Sequence, residues 1–146
     1  MKATTMFALA MSICLALSSA AFAADFDWVK DFNIRAEADP AGFRAQLATR
    51  FKIGDTEVGV VLGVCNKPAD AYIVLRLGEM SRQPTEYVLE QYKGNKGKGW
   101  GVLAKSLGIK PGSKEFHALK QGHDLYDDPG KNKNKGKGKG KGAPPK

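Results

Sequence analysis

The sequence has few of the residues that bind metals, form disulfides or span membranes. It contains two cysteines and two histidines, and no long apolar run follows the first two dozen residues. The histidines, His117 and His123, are six residues apart, a spacing that matches no tight zinc signature. No Cys-x-x-Cys-His haem motif and no Ser-His-Asp pattern is present. We therefore expect a protein that is not an enzyme and needs no cofactor.

The first 23 residues have the pattern of an export signal. Lys2 precedes an apolar run from Phe7 to Leu17, and Ala21-Phe22-Ala23 forms the small-x-small pattern of a signal-peptidase site. The run is shorter than the roughly 20 apolar residues that a membrane-spanning helix needs. Cleavage after Ala23 would deliver the mature chain to a bacterial periplasm or to the cell exterior.

Removal of this signal would leave Cys65 as the only cysteine, so no disulfide could form within the mature chain. A lone thiol in an oxidising compartment could still link two chains. However, Cys65 ends the apolar segment VGVVLGVC, and that position favours a buried, unreactive thiol.

The charge is distributed unevenly along the chain. The formal net charge is +8, from 23 basic and 15 acidic residues. Residues 131–146 contain seven lysines and no acid, whereas residues 24–130 contain 15 basic and 15 acidic residues. We expect a neutral folded domain over residues 24–128 and a basic tail over residues 129–146. The tail has almost no apolar surface to bury, so its composition predicts disorder.

Residues 24–128 have the periodicity of an all-α domain, a small irregular bundle of about five short helices. Asp39 and Pro40 are typical of an N-cap and a first helical residue, and Gly54 lies where that helix should stop. Asp55 can cap the next helix. Together these signals divide the first half of the domain into helices joined by short loops.

Three further features of this half bear on its secondary structure and packing. FNIRAEA alternates apolar and polar residues and is interpreted as a short extended lead-in. Gly59 and Gly63, four residues apart, would let a second helix approach closely. PADAYIVLRLGEMS could be a buried strand or a buried helix, because a continuous apolar run fits both. Its Pro-Ala-Asp-Ala opening and the lack of a pairing strand nearby favour the helix.

The segment from Trp100 onward gives the clearest helical signals. Gly108 is placed for a left-handed cap, Ile109 for folding back onto the last turn, and Ser113 for capping a final helix, KEFHALKQ. An apolar stripe at helical spacing is formed by Trp100, Leu103, Ala104 and Leu107. A DNA-binding helix-turn-helix is disfavoured, because KPGS lengthens the turn and export separates the protein from the genome.

The block GKGWGVLAKSLGIKPGSKEFHALK, residues 97–120, is similar to one found in small exported bacterial proteins of uncharacterised function. A looser likeness extends back to about Pro68. The resemblance implies an exported helical module, and it transfers no activity and no site residue.

The leading hypothesis for function is association with anionic polymers. The tail has lysines at every second position: Lys131, Lys133, Lys135, Lys137, Lys139 and Lys141. The inner segment KGNKGKGWG adds a basic, glycine-rich loop with Lys93, Lys96 and Lys98, which could also hold an anion. Outside the cytoplasm the partners would be lipopolysaccharide, anionic lipid, acidic polysaccharide or extracellular DNA, and the helical body could bind a further protein. A tail that only improves solubility is the plain alternative.

The second hypothesis is metal handling in the periplasm. In HALKQGHDLYDD, the side chains of His117, His123 and Asp124 could bind a divalent or transition metal weakly. A solvated polar stretch after the last helix is the simpler interpretation of the same residues.

Overall fold

The computed structural model describes residues 26–126, which form seven α-helices and contain no β-strand. This confirms the all-α prediction for this range, although about five helices were expected. The predicted signal peptide (1–23) and basic tail (129–146) lie outside the described residues. The helices are α1 (Val29–Ala38), α2 (Pro40–Phe51), α3 (Asp55–Val64), α4 (Pro68–Ser81), α5 (Thr85–Gly94), α6 (Trp100–Ser106) and α7 (Lys114–Gln121).

The segment FNIRAEA belongs to α1, so the predicted extended lead-in is wrong. Val29, Phe32 and Ala36 are buried at positions i, i+3 and i+7, the spacing of one helix face. Ile34, which an extended chain would place on the same side as Phe32, is 59% exposed. Phe32 and Ala36 are four residues apart, a spacing that fits the period of a strand as well as that of a helix. The packing of α1 against α4 stabilises the helix.

The predicted starts of α2 and α7 are confirmed by their capping hydrogen bonds. Asp39 Oδ1 accepts from the Gly42 N–H at 2.9 Å, and Ser113 Oγ accepts from the Phe116 N–H at 3.3 Å. Gly108 has φ +80°, as expected of a left-handed cap, and the N–H of Ile109 bonds back to the Ala104 carbonyl at 2.9 Å. These local signals set the helix boundaries without help from distant residues.

Two boundaries differ from the prediction. The left-handed residue after α2 is Lys52, with φ 54°, and not Gly54, which is the N-cap of α3. Asp55 is the first residue of α3 and makes no capping bond. Its carboxylate instead pairs with Arg44 of α2, with Nη2 and Oδ2 2.8 Å apart. Asp55 therefore ties α3 to α2.

Helix α4 is the centre of the bundle and packs against α1, α3, α5 and α7. It is buried on all sides from Ala69 to Leu75 and again at Leu77 and Gly78, which explains its continuous apolar sequence. The helical interpretation of this segment is thus confirmed. A Cβ on Gly78 would lie 3.4 Å from Val88 Cγ2, so the small residue allows α5 to pack closely.

The expected close helix approach at Gly59 and Gly63 does not occur. Gly63 is exposed, and a Cβ there would meet no atom within 4 Å, while one on Gly59 would meet the Arg44 guanidinium at 3.4 Å. Within residues 26–126 no single helix is long and apolar enough to cross a membrane. Helices α3 and α4 reach that length and composition only jointly, with a bend of 116° between them.

Candidate polyanion-binding surface

The predicted lysine loop lies between α5 and α6. Lys93 is in the last turn of α5, and Lys96 and Lys98 lie in the connection, all three exposed to solvent. Gly97 and Gly99 have φ values of 78° and 93°, a backbone conformation that side chains disfavour, so these glycines give the loop its shape. The geometry presents three ammonium groups within one short turn of chain.

Trp100, at the end of this loop, belongs to the core. Its side chain is fully buried, and its ring stacks on Tyr92 with centroids 6.0 Å apart. The buried ring therefore presents no face on which a sugar or base could stack. Burial of this ring fixes α6 against α5 and holds the lysine loop in place.

Further lysines follow the loop on α6 and α7. Residues 93–123 contain seven lysines, no arginine and a single acid, Glu115. All seven lysines are exposed, and we call them the lysine surface: Lys93, Lys96, Lys98, Lys105, Lys110, Lys114 and Lys120. The net charge of zero over residues 24–130 does not reveal this concentration of lysines. A count of charges along the chain would have found it.

Three acids of the domain form ion pairs with arginines. Arg44 pairs with Asp55, and Arg50 bridges Glu79 at 3.0 Å and Asp124 at 2.7 Å. Arg76 also pairs with Glu79. Within residues 26–126 no lysine forms an ion pair with a carboxylate of the same range. The ammonium groups of the lysine surface are thus open to an external anion.

Asp124 is held by other protein groups. Tyr72 donates a 2.7 Å hydrogen bond to Oδ1 of Asp124, and Arg50 binds Oδ2. Burial alone would raise the pKa of Asp124, but the hydrogen bonds from Arg50 and Tyr72 outweigh it and lower that pKa. These bonds occupy the oxygens that the metal hypothesis requires.

The two histidines lie in different surroundings. His123 packs among aromatic rings, with centroids 4.8 Å from Phe32 and 5.2 Å from Trp28, whereas His117 is exposed on α7. In the part of the chain that the structure describes, no group of three or more His, Cys, Asp or Glu is arranged to hold a metal ion. The geometry gives no support to a metal site at His117, His123 and Asp124.

A buried polar cluster lies next to the lysine loop. Asp70, in the first turn of α4, is 7% exposed, and its Oδ2 accepts a 3.0 Å hydrogen bond from the Tyr92 hydroxyl. Lys96 Nζ lies 5.9 Å from the centre of the Tyr92 ring. Cys65 is also buried, as expected, and burial together with the Asp70 charge raises the pKa of its thiol to about 12. Sequence reasoning missed this cluster, because its members are brought together only by α4 packing on α5.

One open cavity of about 220 Å³ lies along α4, beside Phe51 and Thr85. The acid that lines it, Glu79, is bound by Arg50 and Arg76, which lower the pKa of Glu79. This carboxylate is therefore committed to the ion-pair network that joins α2 and α4.

The chain matched no protein-family model, no curated protein and no solved structure. The resemblance to small exported bacterial proteins stays a prediction.

Proposed function

We propose that the protein is an exported, non-enzymatic helical module that associates with anionic polymers through its lysines. The lysine surface of the folded domain and the tail lysines between residues 131 and 146 act in the same way. The helices provide a rigid support, and the ammonium groups provide the attraction.

The observation that carries this proposal is that arginines and lysines of the domain differ in their ion pairs. Three of the five arginines between residues 26 and 126 bind carboxylates, whereas the seven lysines from Lys93 to Lys120 are exposed and form no ion pair within that range. Unneutralised positive charge on a folded surface attracts polyanions and raises their rate of association.

The chemistry of the surface favours recognition by charge alone. The tryptophan and the phenylalanine of the segment 93–123, Trp100 and Phe116, are at most 1% exposed, so neither ring can stack on a base. A lysine ammonium is a point charge that accepts many geometries, unlike the planar fork of arginine. The expected partners share closely spaced phosphate, sulfate or carboxylate groups, as in lipopolysaccharide, anionic lipid, acidic polysaccharide and extracellular DNA.

Salt-dependent binding tests the proposal. The mature chain from Ala24 should be retained on immobilised heparin at low salt, and its affinity for duplex DNA should fall with a log–log salt slope of about −0.9 per phosphate contact. Deletion of residues 131–146 should make this slope shallower without lowering Tm. The same binding measurement is repeated with three other ligands: vesicles with lipopolysaccharide, vesicles with anionic phospholipid, and an acidic polysaccharide. Comparison of the affinities shows which source of anionic groups the protein prefers.

A matched pair of variants separates the lysine surface from net charge. One double variant, Lys93→Gln/Lys98→Gln, changes the lysine surface. The other, Lys30→Gln/Lys52→Gln, removes the same number of charges from exposed positions elsewhere. The first pair should weaken binding more than the second. Equal weakening by both pairs, or no retention of the wild-type protein at about 50 mM salt, would contradict the proposal.

The export part of the proposal rests on residues 1–23. N-terminal sequencing of the protein recovered from the periplasm or medium of an expressing bacterium should begin at Ala24. Recovery of the whole product from the cytosol with Met1 in place would contradict export, and it would leave the binding test unaffected.

A further inference from the structure

Asp70 is the one charged residue that is buried between residues 26 and 126, and it lies next to the lysine loop. Its carboxylate is bound by the hydroxyl of Tyr92, and Lys96 lies over the ring of the same tyrosine. The burial of a carboxylate is costly unless it is well compensated. The Tyr92 hydroxyl is neutral, and neither Lys67 nor Lys96 forms an ion pair with Asp70, so the compensation is partial. This placement suggests a role other than stability.

The groups around Asp70 come from four parts of the fold. Tyr92 is on α5, Cys65 directly follows α3, Lys67 precedes α4, and Lys96 is in the loop between α5 and α6. On the side of α1, Asn33 accepts the Ala69 N–H at 2.7 Å and stays neutral. The two lysines are the cations that the Asp70 charge attracts.

We propose that Asp70 is a buried counter-charge that regulates the anion affinity of the lysine loop. While its carboxylate is ionised, it attracts Lys96 of the loop, and Lys67 beside α4, and so offsets part of the positive charge of the loop. When the carboxylate is protonated, that attraction disappears and the same lysines act fully on a bound polyanion. This inference rests on the proposed polyanion binding and adds its regulation by acidity.

Proton binding at Asp70 and polyanion binding at the loop should strengthen each other. A polyanion that binds at the loop adds negative potential near Asp70, so binding favours proton uptake and is strengthened as pH falls. Burial raises the pKa of Asp70, and the hydrogen bond from Tyr92 and the charges of Lys67 and Lys96 only partly oppose this effect. The response therefore lies above the pH range in which an ordinary aspartate titrates.

The experiment measures affinity for dextran sulfate between pH 4.5 and 8 at constant low salt. Its sulfate esters do not titrate in this range, so any change belongs to the protein. The wild-type affinity should rise as pH falls. Asp70→Asn should bind about threefold more tightly at pH 8, the effect of one unit charge at several ångströms in a water-like medium, and should show a shallower pH profile.

Asp31→Asn is the control, because it removes the same charge from an exposed position on α1. It should keep the wild-type pH profile. The decisive quantity is the difference between the wild-type and Asp70→Asn profiles, because any change that other groups contribute is common to both. Parallel profiles for these two proteins, or equal gains for both variants at pH 8, would overturn the regulatory role while leaving polyanion binding intact.

A second measurement needs no variant. In the wild-type protein, the carboxyl resonance of Asp70 followed by NMR should titrate at higher pH when dextran sulfate is present than when it is absent. An identical titration in both conditions refutes the coupling. Failure of the wild-type protein to bind dextran sulfate at any pH refutes the proposed function itself, so the two failures are distinct.

Discussion

The Tyr72 hydroxyl and the Asp124 residue are joined by two hydrogen bonds. The hydroxyl donates to Asp124 Oδ1 at 2.7 Å and accepts from the Asp124 N–H at 3.1 Å. Tyr72 is on the central helix α4, and Asp124 follows the last helix, so this pair fastens the end of the domain to its core. Trp28 adds a second link, because its indole N–H donates to the Leu119 carbonyl at 2.9 Å.

Tyr72→Phe removes the hydroxyl and leaves the ring. The free energy of unfolding should fall by about 1–2 kcal/mol, because a hydrogen bond to a charged acceptor is lost and the Asp124 N–H loses its partner. Urea denaturation followed by circular dichroism measures this change. Tyr87→Phe, at a tyrosine that is 38% exposed, is the control and should shift the midpoint little. Equal stability of Tyr72→Phe and wild type would contradict the fastening role.

Asp70→Asn should stabilise the fold at neutral pH. Because the folded-state pKa of Asp70 is raised by burial, the folded protein binds this proton more readily than the unfolded chain does. The contribution of Asp70 to stability therefore falls as pH rises from about 4 through its folded-state pKa. Asparagine does not titrate, so the advantage of the variant should grow over that window and then level off. Urea denaturation at pH 4, 5.5 and 7 checks this trend, and an advantage independent of pH contradicts it.

Trp100→Ala should lower the free energy of unfolding by about 3–5 kcal/mol, since it opens a cavity where a fully buried ring now packs. Val102→Ala is on the same helix at a position that is 43% exposed, and it should change stability by no more than about 0.5 kcal/mol. Thermal denaturation of the two variants compares them directly. Similar losses in both would show that α6 does not pack as described.

Two glycine substitutions should act in opposite directions. Gly108→Ala forces a side chain into φ +80° and should cost about 1 kcal/mol. Gly63→Ala places a methyl group in open space on α3 and should gain about 0.5–1 kcal/mol, because alanine favours the helix. The difference between their urea midpoints is the measurement. A stabilising Gly108→Ala would show that the left-handed cap is not required.

The Cys65 thiol should react slowly in the native protein. Its pKa is raised to about 12, so at pH 8 only about one thiol in 10⁴ is ionised, and burial blocks access as well. A chromogenic disulfide reagent should modify Cys65 quickly in denaturant and slowly without it. Rapid modification of the native protein would instead favour the alternative in which this thiol links two chains.

Local signals predicted much of the helical architecture. Asp39, Ser113 and Gly108 act through bonds to residues within five positions, so their sequence context is sufficient. The secondary-structure prediction was wrong at α1, because the seven residues FNIRAEA fit the period of a strand as well as that of a helix. Only the packing of α1 on α4 distinguishes the two. It also failed at Lys52, which takes the left-handed conformation although nothing in its residue type favours it.

The surroundings of the candidate site were harder to predict, because they depend on contacts between distant residues. Asp70 and Tyr92 are 22 positions apart, and Tyr72 and Asp124 are 52 apart. No spacing rule connects such pairs before the fold is known. The lysine surface could have been predicted, because the excess of lysine in residues 93–123 is present in the sequence. The total charge of residues 24–130 is zero and does not reveal this excess.

The separation of lysines from the internal ion pairs has a consequence for chemical modification. The ion pairs between residues 26 and 126 are made by guanidinium groups, which reagents for primary amines do not attack. Acetylation of the exposed amines would cancel the outward charge and leave these links intact. Acylation should thus lower the proposed affinity for polyanions and preserve the ion pairs between the helices.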